Sequence, residues 1–213
     1  HSFLGYLQTH DQIGNRAKGE RSSHLMNTGR LKIAAARVLT APFIPMLFQG
    51  EEWGASSPFF YFTDHEDPEL GRKVTEGRRR EFAAFGWNPE EIPDPQAATT
   101  FEHSKLNWSE SNKEPHAGLL AWYRRLIELR REIPALSDGC LQRLRVSFDE
   151  AAKWFVVKRN PVVVACNLNQ ATQRLPAGIE PASRLLLASE DKVRLSQDAI
   201  DLPPDSVAIV IAR

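Results

Sequence analysis

The sequence predicts an α/β region followed by an all-β region, and three observations predict it. Two short, continuously apolar runs flank a long apolar helical pattern near the start of the chain. Residues 116–132 carry a clean amphipathic 3.6 period closed by Pro134. From about residue 139 the pattern changes to short apolar or alternating runs separated by turn residues. The change places a boundary near residues 135–140, giving regions 1–136 and 137–213.

Taken in order, residues 3–9 (Phe3-Leu4-Gly5-Tyr6-Leu7 and onward) read as a short, largely buried strand because the apolar run is continuous. Residues 24–41 read as a helix: Leu25, Met26, Gly29, Ile33 and Ala36 recur at helical spacing, and Leu31, Ala35, Val38 and Leu39 cover an adjacent face. So wide an apolar surface implies packing on two sides, and Pro42 ends the pattern. Residues 44–48 are a second apolar run between Pro45 and Gly50. Strand, helix and strand, with both strands buried, predict a βαβ unit with parallel strands.

Residues 49–75 form a long connection, a feature that is often functional. A helix is expected over 74–85, with Val74, Arg78, Phe82 and Phe85 on one stripe. Residues 86–115, broken by Pro89, Pro93, Pro95 and Pro115, read as irregular, with Phe101 and Trp108 pinning the segment to a core. Beyond the boundary, six strands are expected over 141–148, 154–158, 162–167, 172–175, 184–188 and 206–212. Short strands at this spacing predict an antiparallel sandwich.

Composition narrows the function classes. Lys+Arg and Asp+Glu both number 27 in 213 residues, so the formal net charge is zero. A nucleic-acid or anionic-membrane partner would favour a basic excess. No apolar run reaches the ~20 residues of a membrane helix. The two cysteines, Cys140 and Cys166, exclude a disulfide scaffold and fit buried free thiols in a reducing, cytoplasmic compartment. No Gly-rich phosphate loop, Cys-x-x-Cys pair or Gly-x-Ser-x-Gly elbow is present. The chain starts at His1, already close to an apolar run, which leads us to expect a piece of a longer protein.

Three strings can carry chemistry. Gln8-Thr9-His10-Asp11-Gln12 follows the first predicted strand, at the strand end where catalytic groups gather in parallel α/β folds. Asp11 can hold charge beside a ligand and His10 can donate to a hydroxyl; alternatively, Asp11 caps a turn or pairs with Arg16. Phe48-Gln49-Gly50-Glu51-Glu52-Trp53-Gly54 follows the second strand and offers two carboxylates beside an indole, a combination suited to a sugar. Phe59-Phe60-Tyr61-Phe62 places four aromatics in a row, more than one core can take. Asp64-His65-Glu66-Asp67 matches no standard metal spacing, so no metal is expected. Arg78-Arg79-Arg80 reads as a solvated helix face, and His103 and His116 read as surface or capping residues.

The string Thr9-His10-Asp11-Gln12-Ile13-Gly14-Asn15-Arg16-Ala17, followed by Gly19-Glu20-Arg21, resembles the fourth signature region of the α-amylase superfamily, in the form found in maltooligosyltrehalose trehalohydrolases. The similarity extends through residues 44–55, 58–65 and 76–82, with Gln49 standing where the family usually has Met. These motifs span roughly the first 85 residues.

The resemblance implies that residues 1–136 are the C-terminal portion of a (β/α)8 barrel, its last two strands and helices, and that 137–213 form a C-terminal antiparallel β-sandwich domain. It implies retaining hydrolysis of the α-1,4 bond between a maltooligosaccharide and a terminal trehalose, with nucleophile and general acid on earlier strands. Asp11 matches the third carboxylate, a transition-state stabiliser. His10, Gln12, Arg16, Glu51 and Tyr61 would contact substrate, and no cofactor is implied. The expected partners are maltooligosyltrehalose and the upstream barrel portion of the same protein. The chain alone is expected to be inactive and to expose a large apolar surface. The alternatives are a glucan branching enzyme fragment and a non-catalytic glycan-binding module built on residues 139–213, where Trp154 and Phe155 are the only adjacent aromatic pair.

Overall fold

A computed structural model describes residues 3–212, which pack as two compact units. One unit contains the chain up to residue 7, residues 27–46 and everything from 118 onward; the other contains 8–26 and 47–117.

In the first unit, β1 (Leu4–Gly5) pairs in parallel with β2 (Ile44–Pro45), Leu4 opposite Ile44. Ile44 N donates to Phe3 O and Met46 N to Gly5 O. The parallel βαβ arrangement is present, but both strands are shorter than their apolar runs. Gln8 and Thr9 leave the strand because Thr9 caps the helix that follows. The expected burial of the two strands is not observed: Phe3, Leu4 and Tyr6 of the first run and Ile44 of the second are exposed. A two-stranded pair has no neighbours to cover such side chains.

The expected helix over 24–41 divides into α2 (Ser22–Leu25) and α3 (Thr28–Thr40), because Asn27 is extended and its Oδ1 caps Arg30 N. Helix α3 buries Leu31, Ile33, Ala35, Ala36, Val38 and Leu39, with Ala35 and Ala36 fully buried, and keeps Arg30, Lys32 and Arg37 half-buried. It packs on the last strand of the sheet, and its Lys32 carbonyl accepts from Trp122 Nε1. Gly29 is required at its start, since a Cβ there would lie 2.3 Å from Asp205 O.

Two arginines, Arg159 buried and Arg130 half-buried, close the other end of α3. Arg130 donates to Leu39 O, Ala41 O and Phe43 O at 2.7–3.0 Å. Arg159 donates to Thr40 O (2.6 Å), to Leu136 O and to Asp138 O. Carbonyls left over at a helix C-terminus are thus met by positive charge, the sign that the helix dipole favours. Burial lowers the pKa of both guanidinium groups, and the charge of Arg130 lowers that of Arg159 further. Arg130 belongs to α6 (His116–Glu132), which the sequence places correctly, and Pro134 opens a further turn, α7 (Pro134–Ser137).

Eight antiparallel strands follow. Sheet one runs in the order β3 (Leu144–Asp149), β4 (Trp154–Arg159), β5 (Val162–Asn167), β10 (Ser206–Ile211), β7 (Arg184–Ala188). Sheet two runs β6 (Gln173–Pro176), β9 (Ala199–Leu202), β8 (Arg194–Ser196). Val156, Val163, Ala208 and Val210 from the first sheet and Leu175, Ile200 and Leu202 from the second share one apolar core. The six expected strands are all present, whereas β8 and β9 carry too little alternation to be read from the sequence. Cys166 is buried in β5, and burial pushes its thiol pKa up; Cys140 is only partly buried, contrary to expectation. No helix among the described residues is long and apolar enough to cross a membrane.

The second unit holds α1 (His10–Gly14), α2, α4 (Pro68–Ala84) and α5 (Ala98–Ser104). Helix α4 starts six residues before its apolar stripe, because Asp67 caps it and Pro68 occupies its first position. Helix α5 lies in the stretch expected to be irregular, and Thr100 and Ser104 are its buried residues. Its stripe is polar, so apolar periodicity does not reveal it.

Replacing Arg159 with Met strands three carbonyls, two of them at helix ends. We expect Arg159→Met to lower the unfolding free energy by about 3 kcal/mol in denaturant titrations. A loss under about 1 kcal/mol would mean that water reaches those carbonyls.

Candidate functional site

Helix α1 is only five residues long, yet it is tightly specified. Thr9 Oγ1 accepts from Asp11 N, and Gln12 Oε1 accepts from Thr9 N (2.8 Å), closing a reciprocal capping box. The preceding Gln8 is buried, and its Oε1 accepts from Ser22 N. This cap presents His10 and Asp11 outward on the first turn, with side chains 70% and 71% exposed. His10 Nε2 stands 3.2 Å from Asp11 Oδ1. The carboxylate sits at a helix N-terminus, where negative charge is favoured.

The other expected site residues are distributed differently. Gln12 uses its side-chain oxygen in the cap. Arg16 pairs with Glu20 (3.4 Å) rather than with Asp11. Glu51 is buried, and its carboxylate accepts from Phe48 N within its own loop. Tyr61 is partly exposed, its backbone 3.8–3.9 Å from where a Cβ on Gly14 would lie, beside the end of α1.

Three residues that the sequence reading left aside hold this arrangement. Arg78 was expected on a solvated face. Instead its guanidinium lies 4.9 Å from the rings of both Tyr61 and Phe82 and donates to Gly14 O. Burial lowers its pKa, and nearby Glu81 opposes that shift. Arg21 is fully buried; its Nε donates to Ser57 O and its Nη1 to Gln49 O, both at 2.7 Å. It thereby ties together the two ends of the loop that follows β2. Burial lowers its pKa against the charges of Glu110, Glu52 and Glu51. Gly19, at φ 59°, lets the 59–60 backbone approach: a Cβ there would meet Phe59 O at 2.7 Å.

Glu110 is the third. It accepts from Trp53 Nε1 (3.1 Å), Ser56 N (3.0 Å) and Ser56 Oγ (2.5 Å). Burial raises its pKa, but the Ser56 and Trp53 hydrogen bonds and the nearby His116 outweigh burial and hold it below the usual carboxylate value. His116 is not a free surface residue, since its Nδ1 lies 2.9 Å from Trp53 O. Only a fold can bring position 110 to positions 53 and 56, so no local sequence signal marks it. Arg21 had a signal, its place at the end of the Gly19-Glu20-Arg21 string.

The aromatic run divides as its crowding implied. Tyr61 faces Arg78, whereas Phe59 and Phe62 join Phe48 and Phe101 in a chain of edge-to-face contacts. Phe101 and Trp108 do not sink into a core as expected: both are exposed, although Trp108 contacts the Trp53 ring at 5.0 Å. Asp67 caps α4, and the described residues contain no group of three or more side chains suited to a metal ion.

Residues 141–209 match a family described as a domain of unknown function (DUF3459). The chain is 46% identical over 203 residues to malto-oligosyltrehalose trehalohydrolase from Rhizobium sp. (strain M-11), covering 95% of this chain and 34% of that protein. It is 43% identical over 210 residues to the malto-oligosyltrehalose trehalohydrolase of Mycobacterium tuberculosis, covering 99% and 35%. A crystal structure titled putative alpha amylase from Salmonella typhimurium superposes with TM-score 0.82 at 36% identity, again over 99% of this chain and 35% of that one. The chain thus spans about a third of the length of the curated relatives it matches.

Glu110 gives a pH-dependent test. A carboxyl whose folded pKa is depressed stabilises the fold above its unfolded pKa and loses that contribution as pH falls through the folded value. Glu110→Gln should therefore lower the melting temperature at pH 7, with a gap from the unmodified protein that narrows below pH 4.5, the ordinary value for the group. A gap unchanged from pH 7 to pH 3 would contradict the assignment.

Proposed function

We propose, from the similarity of this chain to malto-oligosyltrehalose trehalohydrolases, that it supplies the third carboxylate of a trehalose-releasing glycosidase. The single observation that carries the reading is the Asp11 side chain. It is exposed on a short, doubly capped turn directly after a parallel strand, beside His10.

A carboxylate so placed can hold sugar hydroxyls and favour the positive charge that develops at the anomeric carbon. It acts by binding the oxocarbenium-like state more tightly than the ground state. His10 contacts the same sugar. Arg78 fixes the end of α1 and the Tyr61 ring, so Tyr61 supports the site from the side. The nucleophile and general acid of a retaining mechanism would come from the rest of the protein. Gln12, Arg16 and Glu51 belong to the surroundings of this site and act through the cap, the Glu20 pair and the loop.

Residues 1–136 are, in this reading, the last two strands and helices of a (β/α)8 barrel, and 137–213 the β-sandwich domain that follows. The parallel pairing of β1 with β2 and the exposure of Phe3, Leu4, Tyr6 and Ile44 support it. Those side chains await neighbouring strands, and the upstream barrel portion is the partner that would bring them. On this account the chain by itself hydrolyses nothing. The substrate of the whole protein is maltooligosyltrehalose, and the free thiols support a cytoplasmic setting.

In the full-length parent, Asp11→Ala should cut trehalose release from a maltooligosyltrehalose by about a hundredfold or more in kcat, with the melting temperature preserved because the side chain is exposed. A variant that keeps full activity would remove Asp11 from the site. A parent that makes branched glucan, or no product, would remove the trehalohydrolase reading.

A further inference from the structure

We propose that the free edge of strand β3 pairs with β3 of a second copy of the protein, joining the two copies of sheet one across a two-fold axis at Ser147. The whole strand lies in the first unit. A strand at a sheet edge leaves a row of backbone N–H and C=O groups unpaired, and such a row is a template for another strand. Strand β3 pairs with β4 alone, and no other backbone–backbone hydrogen bond reaches it among the described residues.

The other three sheet edges carry features that discourage such pairing. Strand β6 ends on Pro176, β8 is three residues long, and β7 lies beside a register shift at Ile209/Val210. Strand β3 has none of these. It is six residues long without Pro or Lys, and its register is unbroken from Leu144 opposite Arg159 to Asp149 opposite Trp154. It also presents apolar side chains, with Val146 53% and Phe148 62% exposed. The two-residue period of a strand puts both on one face and Arg145, Ser147 and Asp149 on the other.

Charge selects the occupant and the register. Arg145 and Asp149 form no ion pair among the described residues. The Arg145 guanidinium donates to Gln142 O and Leu144 O, and Asp149 Oδ1 accepts from Ala152 N. In an antiparallel pair centred on Ser147, Arg145 stands opposite Asp149 of the second copy, and Asp149 opposite its Arg145. Val146 and Phe148 face each other in the same way. Opposite charges and aromatic with β-branched residues are cross-strand combinations that stabilise a sheet. The two-fold axis forms each pair twice, so the strand is complementary to itself. An axis on Arg145 or on Asp149 would set like charges opposite each other. The contact closes at two copies, because each copy has one such edge.

The test is sedimentation velocity of the full-length parent over a concentration series reaching about 0.1 mM. The unmodified protein should show a monomer–dimer equilibrium. Arg145→Asp and Asp149→Arg should each raise the dimer Kd about tenfold or more, since each sets like charges opposite at both symmetric positions. An equimolar mixture of the two variants should dimerise within about threefold of the unmodified protein, because both pairs again have opposite sign. Arg145 is exposed, so its reversal should leave the melting temperature unchanged. In the unmodified protein, hydrogen-exchange protection of the 145–149 amides should rise with concentration, a readout that needs no variant to fold. A parent that stays monomeric, a Kd indifferent to Arg145→Asp, or protection independent of concentration overturns the proposal. A monomer with those amides protected also overturns it and assigns the edge to the upstream portion of the protein.

Discussion

The end of α3 is where the first unit is decided. Four carbonyls between residues 39 and 43 would be stranded as the chain leaves the helix at Pro42 and becomes strand β2. Arg130 and Arg159 take all four. One arginine comes from the amphipathic helix α6 and the other from strand β4, so a single turn of chain fixes a helix, a strand and a sheet at once. Burial lowers the pKa of Arg159, and the neighbouring charge of half-buried Arg130 lowers it further. The arrangement holds because each guanidinium has enough oxygen partners to offset its desolvation. At the opposite end of α3, Asp205 receives Asn27 and Arg30, and its hydrogen bonds hold its pKa down against the effect of burial.

The second unit uses the same device on loops. Residues 47–67 have little regular structure, and a backbone of that kind must find partners one by one. Arg21 satisfies the two ends of the turn, and Glu110 satisfies its middle through Trp53 and Ser56. Arg78 does the same for the end of α1. The side chains proposed to meet a ligand, Asp11, His10 and Tyr61, are exposed, whereas Arg21 and Glu110 are buried and Arg78 is half-buried.

Chain segments with strong local signals were legible in advance. Helix α6 follows from its 3.6 period and Pro134, and β5 and β7 coincide with their apolar runs, because in each case a single local pattern decides the outcome. The turn with Asp11 was not: the strand reading over 3–9 took in Thr9, which instead forms a capping box with Gln12. The break at Asn27, the early start of α4 at Asp67-Pro68 and the helix at Ala98–Ser104 were written in capping chemistry rather than in apolar periodicity.

The sequence by itself determined the class of each region, the parallel pairing of the first two strands, the antiparallel sandwich and the position of the candidate carboxylate. These depend on periodicity, proline and capping residues, which act over a few positions. Tertiary structure alone decided which charges are buried and what they hold. Arg21, Arg78, Arg130, Arg159 and Glu110 look like ordinary polar residues in the sequence. Their roles arise from carbonyls and rings that are distant in the chain, up to 119 positions away for Arg159 and Thr40. Burial makes those contacts strong, because a charge removed from water must be met by fixed oxygens or hydrogen-bond donors, and only folding brings such groups within reach.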